Sequence, residues 1–422
     1  MTADARAIGR YRLFGVIAAG GLATVHYGRL VSDTGFSRTV AIKRLHPWLA
    51  DEPGFVSMLL DEARVTARIR HPSVVSVIDV VEEPGEVLLV MDYVHGESLA
   101  RLRAACKRSN HVIDADLVLG IMVPVLHGLH AAHVATSEAG VPLGIVHRDV
   151  SPENIMVGED GCARLVDFGV ARAIGRLQQT REGELKGKPA YMAPEQILGK
   201  EVDARTDVFA ASVVLWEALT MRPLFRGEND VASAMRVLNG VIDAPSRIAA
   251  HVPRALDAIV LRGLERERER RWATAREMAL ELEQALSPAS SARVGAWVRC
   301  TAAEALEKRN GELSLVENTP MNGGRRTGRK VLFAGAMLMV VAGGAAALVR
   351  AEHRGEMHVA QPLALPSPVI PQPAPLPPVV ASSATVMRPA APPVAGVSTK
   401  RRNCDPPYTL KEGIVVFKRE CL

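Results

Sequence analysis

The sequence predicts an α+β fold in two lobes, followed by one long apolar helix and a proline-rich tail. Short β-branched runs (TVAIKRL, VVSVIDVV, EVLLVMDYV) crowd the N-terminal part, with one helical stretch, FVSMLLDEARVTARI, among them. Later residues are mainly helical in pattern, as in VASAMRVLNGVI and ATAREMALELEQAL. Strands first and helices afterwards imply segregated layers. The third observation is Val331–Val349, nineteen residues without a charge, long enough to cross a bilayer core at about 1.5 Å per residue.

With 422 residues, 48% hydrophobic and 23% charged, the chain has room for one large globular domain and additional segments. The formal charge of +5 is mild and the two signs are interspersed, so no nucleic-acid partner is expected. The alternating run Glu265–Arg271 reads as a solvated helix face or turn. Cys106, Cys162 and Cys300 lack metal-ligand spacing and read as free thiols in a reducing compartment. The N-terminal MTADARAIGR has no apolar stretch, so no cleaved signal peptide is expected.

Several motifs carry chemistry, in chain order. IAAGGLATV, residues 17–25, is a small-residue turn between two strand-like runs, where backbone amides can approach a phosphate closely. VAIK sets Lys43 on an apolar strand, and Glu62 follows in the helical stretch, where it could pair with Lys43. LVMDYVHGESL is an apolar strand breaking into a polar loop. HRDVSPEN supplies Asp149 and Asn154, VDFGVAR supplies Asp167, YMAPEQ supplies Glu195, and DVFAASVVLWE sets Asp207 at the head of an apolar helix. His127, His130 and His133 share a helix face, but no Cys or carboxylate accompanies them, so they are not read as a zinc site.

In this order and spacing the chain resembles eukaryotic-type (Hanks-type) protein serine/threonine kinases of the bacterial transmembrane kind, over roughly residues 11–285. The resemblance implies a bilobal protein kinase fold, with a β-rich N-lobe over 11–94 and a helical C-lobe over 95–285, after a tail at 1–10. It implies ATP and Mg²⁺ (Mn²⁺ is an alternative) as cofactors, and proteins with Ser or Thr acceptors as substrates. Lys43 is expected to bind the α- and β-phosphates, held by Glu62. Asn154 and Asp167 are expected to hold the metal, and Asp149 to orient the acceptor hydroxyl and take its proton. Ile17, Val25, Ala41, Met91 and Met156 are expected to wall the adenine pocket, with backbone groups of Asp92 and Val94 on the adenine edge. Glu195 is expected to pair with Arg271 as a buried structural ion pair.

The chain departs from the family pattern at three places. The glycine loop carries Ala18 and Ala23 around Gly20 and Gly21, which is expected to weaken nucleotide binding without abolishing it. Ser151 stands where a Lys is usual, and Lys188 where a Thr is usual. Both positions flank the catalytic Asp in related kinases, so the two residue types are read as exchanged, keeping one ammonium and one hydroxyl beside Asp149. A pseudokinase, a membrane-anchored ATP-binding or scaffolding module, is the alternative; against it, Lys43, Asp149, Asn154 and Asp167 are all present. Thr180 is the one aliphatic hydroxyl between Asp167 and Glu195 and is expected to be the phosphorylated switch, with Arg148 as its partner.

Beyond the catalytic part, residues 286–330 read as a juxtamembrane connection with some helical potential. Arg325, Arg326, Arg329 and Lys330 precede the apolar run, whereas Arg350 and Arg354 are balanced by Glu352 and Glu356 after it. This places the N-terminal side in the cytoplasm of a single-pass inner-membrane protein. Eleven prolines between Pro362 and Pro393 make 350–400 an extended extracytoplasmic spacer. The module at 401–422 has two strand-like runs around Lys411-Glu412-Gly413 and too little core to fold by burial alone, so a disulfide between Cys404 and Cys421 is expected to clamp it. A homodimer is compatible with this organisation.

Overall fold

The computed structural model describes residues 6–20, 23–32, 36–46, 60, 63, 66–83, 86–168, 188–319, 408–411 and 414–417. Glu62, Gly21, Thr180, the apolar run 331–349, the proline-rich segment, Cys404 and Cys421 lie outside these residues.

The N-lobe is an antiparallel sheet of β1 (Arg6–Ile8), β2 (Tyr11–Ala19), β3 (Ala23–Val31), β4 (Ser37–Leu45), β5 (Val77–Glu83) and β6 (Glu86–Asp92), in the order β1-β2-β3-β4-β6-β5. Its alternating residues divide between two apolar clusters. Tyr11, Leu13, Val40, Ile42, Leu88 and Val90 pack on one side. Ala41, Leu89 and Met91 pack on the other, together with Ala63, and with Val75 from the chain leading into β5. Leu60, Ala63 and Thr66, from the stretch read as helical, are helical.

After β6 the chain passes into the C-lobe through Tyr93, Val94 and His95. A three-stranded sheet, β7 (Gly96–Ser98), β8 (Ile155–Gly158) and β9 (Ala163–Leu165), lies at the start of this lobe. Ten helices follow in the described chain. They are α1 (Leu99–Arg108), α2 (Ala115–His133), α3 (Pro194–Ile197), α4 (Ala204–Thr220), α5 (Asp230–Asn239), α6 (Pro245–Ile248), α7 (Asp257–Gly263), α8 (Ala275–Ala285), α9 (Ser291–Thr301) and α10 (Ala303–Asn318). Helices α2 and α4 are apolar around most of their circumference because they are the core of the lobe. Leu119, Val125, Leu126 and Leu129 on α2 and Val208, Phe209, Val213 and Leu215 on α4 are fully buried. The length and apolarity of α2 would also suit a membrane span, but its packing is that of a core helix.

Helices α9 and α10 continue the fold past residue 285, within the stretch read as a connection. Val294, Val298 and Leu306 join the C-lobe core, and Val316 is buried against Phe14 and Tyr27 of the N-lobe. Near the C-terminus, β10 (Tyr408–Lys411) and β11 (Ile414–Phe417) pair as an antiparallel hairpin with Lys411 opposite Ile414.

The buried pair expected between Glu195 and Arg271 is present. Arg271 Nη1 and Nη2 donate to the two oxygens of Glu195 at 2.7 and 2.8 Å. The Thr206 hydroxyl donates to Glu195, and the guanidinium also donates to the carbonyls of Glu265, Arg205 and Arg266. The Arg271 side chain is fully buried and lies over the Phe209 ring at 4.9 Å. Burial alone would raise the Glu195 pKa, but the hydrogen bonds and charge of Arg271 bring it below the usual carboxylate range. Such a pair is costly to break because the remaining member is left buried and uncompensated. Arg271→Ala should therefore destabilise the lobe by about 3–5 kcal/mol, read as a lower thermal midpoint. Because the folded pKa of Glu195 is depressed, its contribution is present above the unfolded value of about 4.3 and is lost as pH falls through the lower folded value. In Arg271→Ala that part of the acid sensitivity should disappear.

Candidate active site

The site lies where the N-lobe sheet faces the start of the C-lobe. On β4, Lys43 pairs in register with Val25 of β3 and Leu89 of β6, which sets its side chain beside the apolar cluster of the sheet. Its Nζ donates to Asp167 Oδ1 at 2.7 Å, joining the two lobes. Glu62, the partner expected for Lys43, is outside the described residues. Burial disfavours charge on Asp167, but Lys43, with Lys188 a smaller contributor, outweighs it and holds the carboxyl below its usual range.

The catalytic loop is held mainly through its backbone. Asp207, fully buried at the head of α4, accepts the amide N–H of His147 on Oδ2 and that of Arg148 on Oδ1, both at 2.8 Å. His133 Nε2 bonds the same Oδ2 at 2.7 Å. Desolvation opposes the Asp207 charge, yet the bond from His133 and the neighbouring donors keep its pKa lowered. Gln196 Nε2 then donates to the Arg148 carbonyl at 2.9 Å. Arg148 needs this grip, since its φ of +67° lies in the left-handed region that side-chain-bearing residues avoid at a cost of about 1–2 kcal/mol. Asp167, at φ +63°, is the second such residue in the site.

His147 ties the loop to the segment carrying Asp167. Its Nε2 bonds the Val166 carbonyl at 3.0 Å and its Nδ1 faces the Asp149 amide at 3.3 Å. A carbonyl only accepts and an amide N–H only donates, so the network assigns the Nε2–H tautomer. The ring also packs on Phe168, with centroids 4.4 Å apart. Asn154 closes the loop: its Nδ2 donates to both the backbone oxygen and Oδ2 of Asp149 at 2.8 Å, and its carbonyl accepts from Val166 N at 3.0 Å. The amide nitrogen of Asn154 is thus committed, leaving its side-chain oxygen as acceptor. This oxygen and the charged Asp167 are of the oxygen-donor type that would suit Mg²⁺.

The expected adenine walls are only partly gathered. Ala41 and Met91 are buried register partners, and Val25 and Val94 pack on the same cluster. Ile17 packs instead with the cluster formed by Phe14, Tyr27 and Val316. Met156 lies half-buried on β8, between core residues Ile155 and Val157 that alternate with it. Asp92 is ion-paired with Arg38. At the facing ends of β2 and β3, Ala18 pairs with Val25, and Gly20 N just beyond β2 donates to the Ala23 carbonyl at 2.9 Å.

Lys188 and Ser151 meet. Lys188 Nζ donates to Ser151 Oγ at 2.8 Å and contacts Glu153 Oε2 at 3.2 Å. Ser151 is fully buried, and about a third of the Lys188 side chain is exposed. The sequence reading named no part for Glu153, Gln196 or the buried contacts of Asp207. For Asp207 a signal existed, a carboxylate at the head of the apolar run of α4. His133 and His127, two members of the histidine stripe, are engaged with Asp207 and Glu283.

Known proteins agree with this arrangement. Residues 11–293 match the protein kinase domain family. Among curated relatives, the chain is 40% identical over 279 residues to Tyrosine-protein kinase MasK of Myxococcus xanthus, covering 66% of this chain and 43% of that protein. It is 34% identical over 288 residues to Serine/threonine-protein kinase PknB of Mycolicibacterium smegmatis, covering 67% and 44%. The match therefore spans less than half the length of these relatives. Among solved structures, the Mycobacterium tuberculosis PknI kinase domain superposes with a TM-score of 0.52 at 23% identity, over 67% of this chain and 99% of that one, a likeness of fold. Its sheet, cleft and family match together show that the chain belongs to the protein kinase family and carries a bacterial Hanks-type serine/threonine kinase domain.

Proposed function

We propose that the protein is a membrane-anchored serine/threonine kinase that transfers the γ-phosphate of ATP to hydroxyls of other proteins. The observation that carries this reading is the convergence of Lys43, Asp167, Asn154 and Asp149 through the 2.7 Å and 2.8 Å bonds across one cleft. Phosphoryl transfer asks the protein for in-line positioning and charge neutralisation more than for covalent chemistry. Asp167 and Asn154 would hold Mg²⁺ (or Mn²⁺), whose charge would screen the γ-phosphate. Lys43 would exchange its bond to Asp167 for the α- and β-phosphates as nucleotide enters. Asp149, fixed by the Asn154 amide, would orient the acceptor hydroxyl and take its proton. The uncharged run 331–349 would anchor the chain, with the catalytic domain on the cytoplasmic side of its basic flank.

Ser and Thr acceptors are favoured by the Hanks-type domain. A tyrosine acceptor is the second reading, because the relative at 40% identity is named a tyrosine-protein kinase. Radiolabel from γ-labelled ATP should appear on the full-length protein or an added substrate, and be lost by about 10³-fold or more in Asp149→Asn. Phosphoamino-acid analysis should return phosphoserine or phosphothreonine. Phosphotyrosine alone would transfer the proposal to the second reading, and equal labelling by Asp149→Asn would leave the pseudokinase.

The bond from Lys188 to Ser151 supports the reading that Lys188 supplies the ammonium usually found at position 151. A lysine is a point charge on a flexible stem and can reach one volume from either side. Lys188 is also among the charges that hold Asp167 ionised. Lys188→Met should lower kcat about 100-fold, the scale for one lost transition-state donor. Ser151→Lys combined with Lys188→Thr should recover much of it. A kcat for Lys188→Met within a few-fold of the parent would show that catalysis works without that charge.

Thr180 would be the activating phosphosite, pairing with Arg148 through a group that brings about −1.5 to −2 charge. Peptide mapping after autophosphorylation should find phosphate there. Phosphate only at other positions, with full activity in Thr180→Ala, would reject this switch.

A further inference from the structure

Helices α9 and α10 touch both lobes and the segment between them, although the family match ends at residue 293, the third residue of α9. On the C-lobe, α9 is docked closely. A side chain on Gly161 would strike the Ser291 carbonyl, and one on Gly295 would strike the Glu159 carbonyl. Arg299 Nη1 donates to the Glu159 carbonyl at 2.7 Å, and Arg293 pairs with Asp114 and Asp116. Val294, Val298 and Leu306 are buried in the same core as α2. This end of the pair is a fixed part of the lobe.

The other end is fixed to the N-lobe. Val316 of α10 is 3% exposed, in a cluster with Phe14 and Tyr27, and Ile17, Tyr93 and Leu313 pack around it. Arg29 of β3 donates through Nη1 to the carbonyls of Val316, Glu317 and Thr319 at 3.1, 2.7 and 3.3 Å. A helix leaves its last carbonyls unpaired and its C-terminus partially negative, so a guanidinium there satisfies both. The buried Tyr27 hydroxyl has its pKa pushed up by burial and then by Glu312 of α10. Midway along α10, Arg309 donates to the Gly96 carbonyl, and its Nη2 pairs with Glu97 Oε2 at 2.8 Å. Both partners of Arg309 follow directly on the interlobe residues Tyr93–His95, and the pair is nearly enclosed, at 12% and 6% exposure.

We propose that α9 and α10 form a strap that ties the two lobes together across their connecting segment, with Arg309 and Val316 as positioning residues for the nucleotide cleft. Two rigid bodies joined by a short segment open through rotation about a few of its dihedrals. A second link, anchored on both bodies, removes open arrangements and lowers the ordering cost of closing on a ligand. On the N-lobe side the strap also touches Ile17 of β2, which shares a cluster with Val316 and Leu313. The lobes it joins are close enough for Lys43 to bond Asp167. None of the strap residues touches the reacting groups, so the effect falls on nucleotide affinity and not on the chemical step. Thr319 precedes Val331, the start of the uncharged run, by twelve residues.

The test uses the full-length protein and the kinase reading only for its ligand. Equilibrium binding of ATP and steady-state kinetics are measured for Arg309→Ala, Arg309→Lys and Val316→Asp, with hydrogen exchange over residues 303–318. Arg309→Ala and Val316→Asp should each raise the Kd and KM for ATP at least five-fold, with kcat within two-fold of the parent. Arg309→Lys, which keeps the charge toward Glu97, should lie between. Faster exchange in α10 should accompany the weaker binding, while α2 and α4 stay protected. An ATP affinity within two-fold of the parent in Arg309→Ala, which leaves the apolar contacts in place and is expected to fold, would overturn the strap. So would an affinity unchanged in Val316→Asp with α10 released, or an α10 unprotected in the parent. A parent protein that binds no ATP at all would instead sink the kinase reading.

Discussion

The buried carboxylate of Asp207 is the interaction on which the catalytic arrangement depends. It accepts two consecutive backbone amides of the catalytic loop and a histidine nitrogen, in a place where water cannot substitute. An ionised carboxylate in such a place is tolerated because its oxygens are matched by donors. The consequence is mechanical. The backbone of Arg148 is held in a left-handed conformation it would otherwise leave, and Asp149 follows it in the chain. From there the network runs outward through His147 to Val166 and through Asn154 to Asp149. The catalytic aspartate is thus placed by a helix that carries none of the reacting groups.

The C-lobe is built so that this placement is rigid. Helices α2 and α4 contribute a continuous apolar core, and polar groups that enter it do so in hydrogen-bonded sets. Glu195, Arg271 and Thr206 form one such set, and His133 with Asp207 forms another. Neither set supports stability by charge alone. Each fixes a loop whose backbone would otherwise choose among several conformations, which is the use for which buried polar networks are best suited. Opposite this rigid lobe, the N-lobe is a thin sheet with small apolar clusters on its faces, and the strap α9–α10 extends the C-lobe core up to one of them.

Much of the site was legible because its motifs are local. HRDVSPEN places an aspartate and an asparagine five residues apart, and that spacing alone lets the Asn154 amide fold back on Asp149. The Glu195–Arg271 pair was legible through the family pattern, not through its spacing. The exchange of residue types at 151 and 188 raised a question in the sequence that required coordinates to become a distance, the 2.8 Å bond between Lys188 and Ser151. Ile17 shows the limit of reading by pattern. Its position beside the glycine loop suggested an adenine wall, and what packs beside it includes Val316, nearly three hundred residues away.

By itself the sequence determined the order of strands and helices, the residues proposed to bind phosphate and metal, and the uncharged run near the C-terminus. These depend on periodicity, on residue chemistry and on short spacings, all written along the chain. Tertiary structure alone decided which groups share a partner. It assigned Asp207 to the catalytic loop, Lys43 to Asp167, and Arg309 and Arg29 to carbonyls far away in sequence. It also turned the stretch after residue 285 from a connection into two packed helices. The physical reason is that a helix of modest amphipathic character gains its stability from the surface it covers. For α10 that surface is made by β2, β3 and the start of the C-lobe, and it exists only once both lobes have folded.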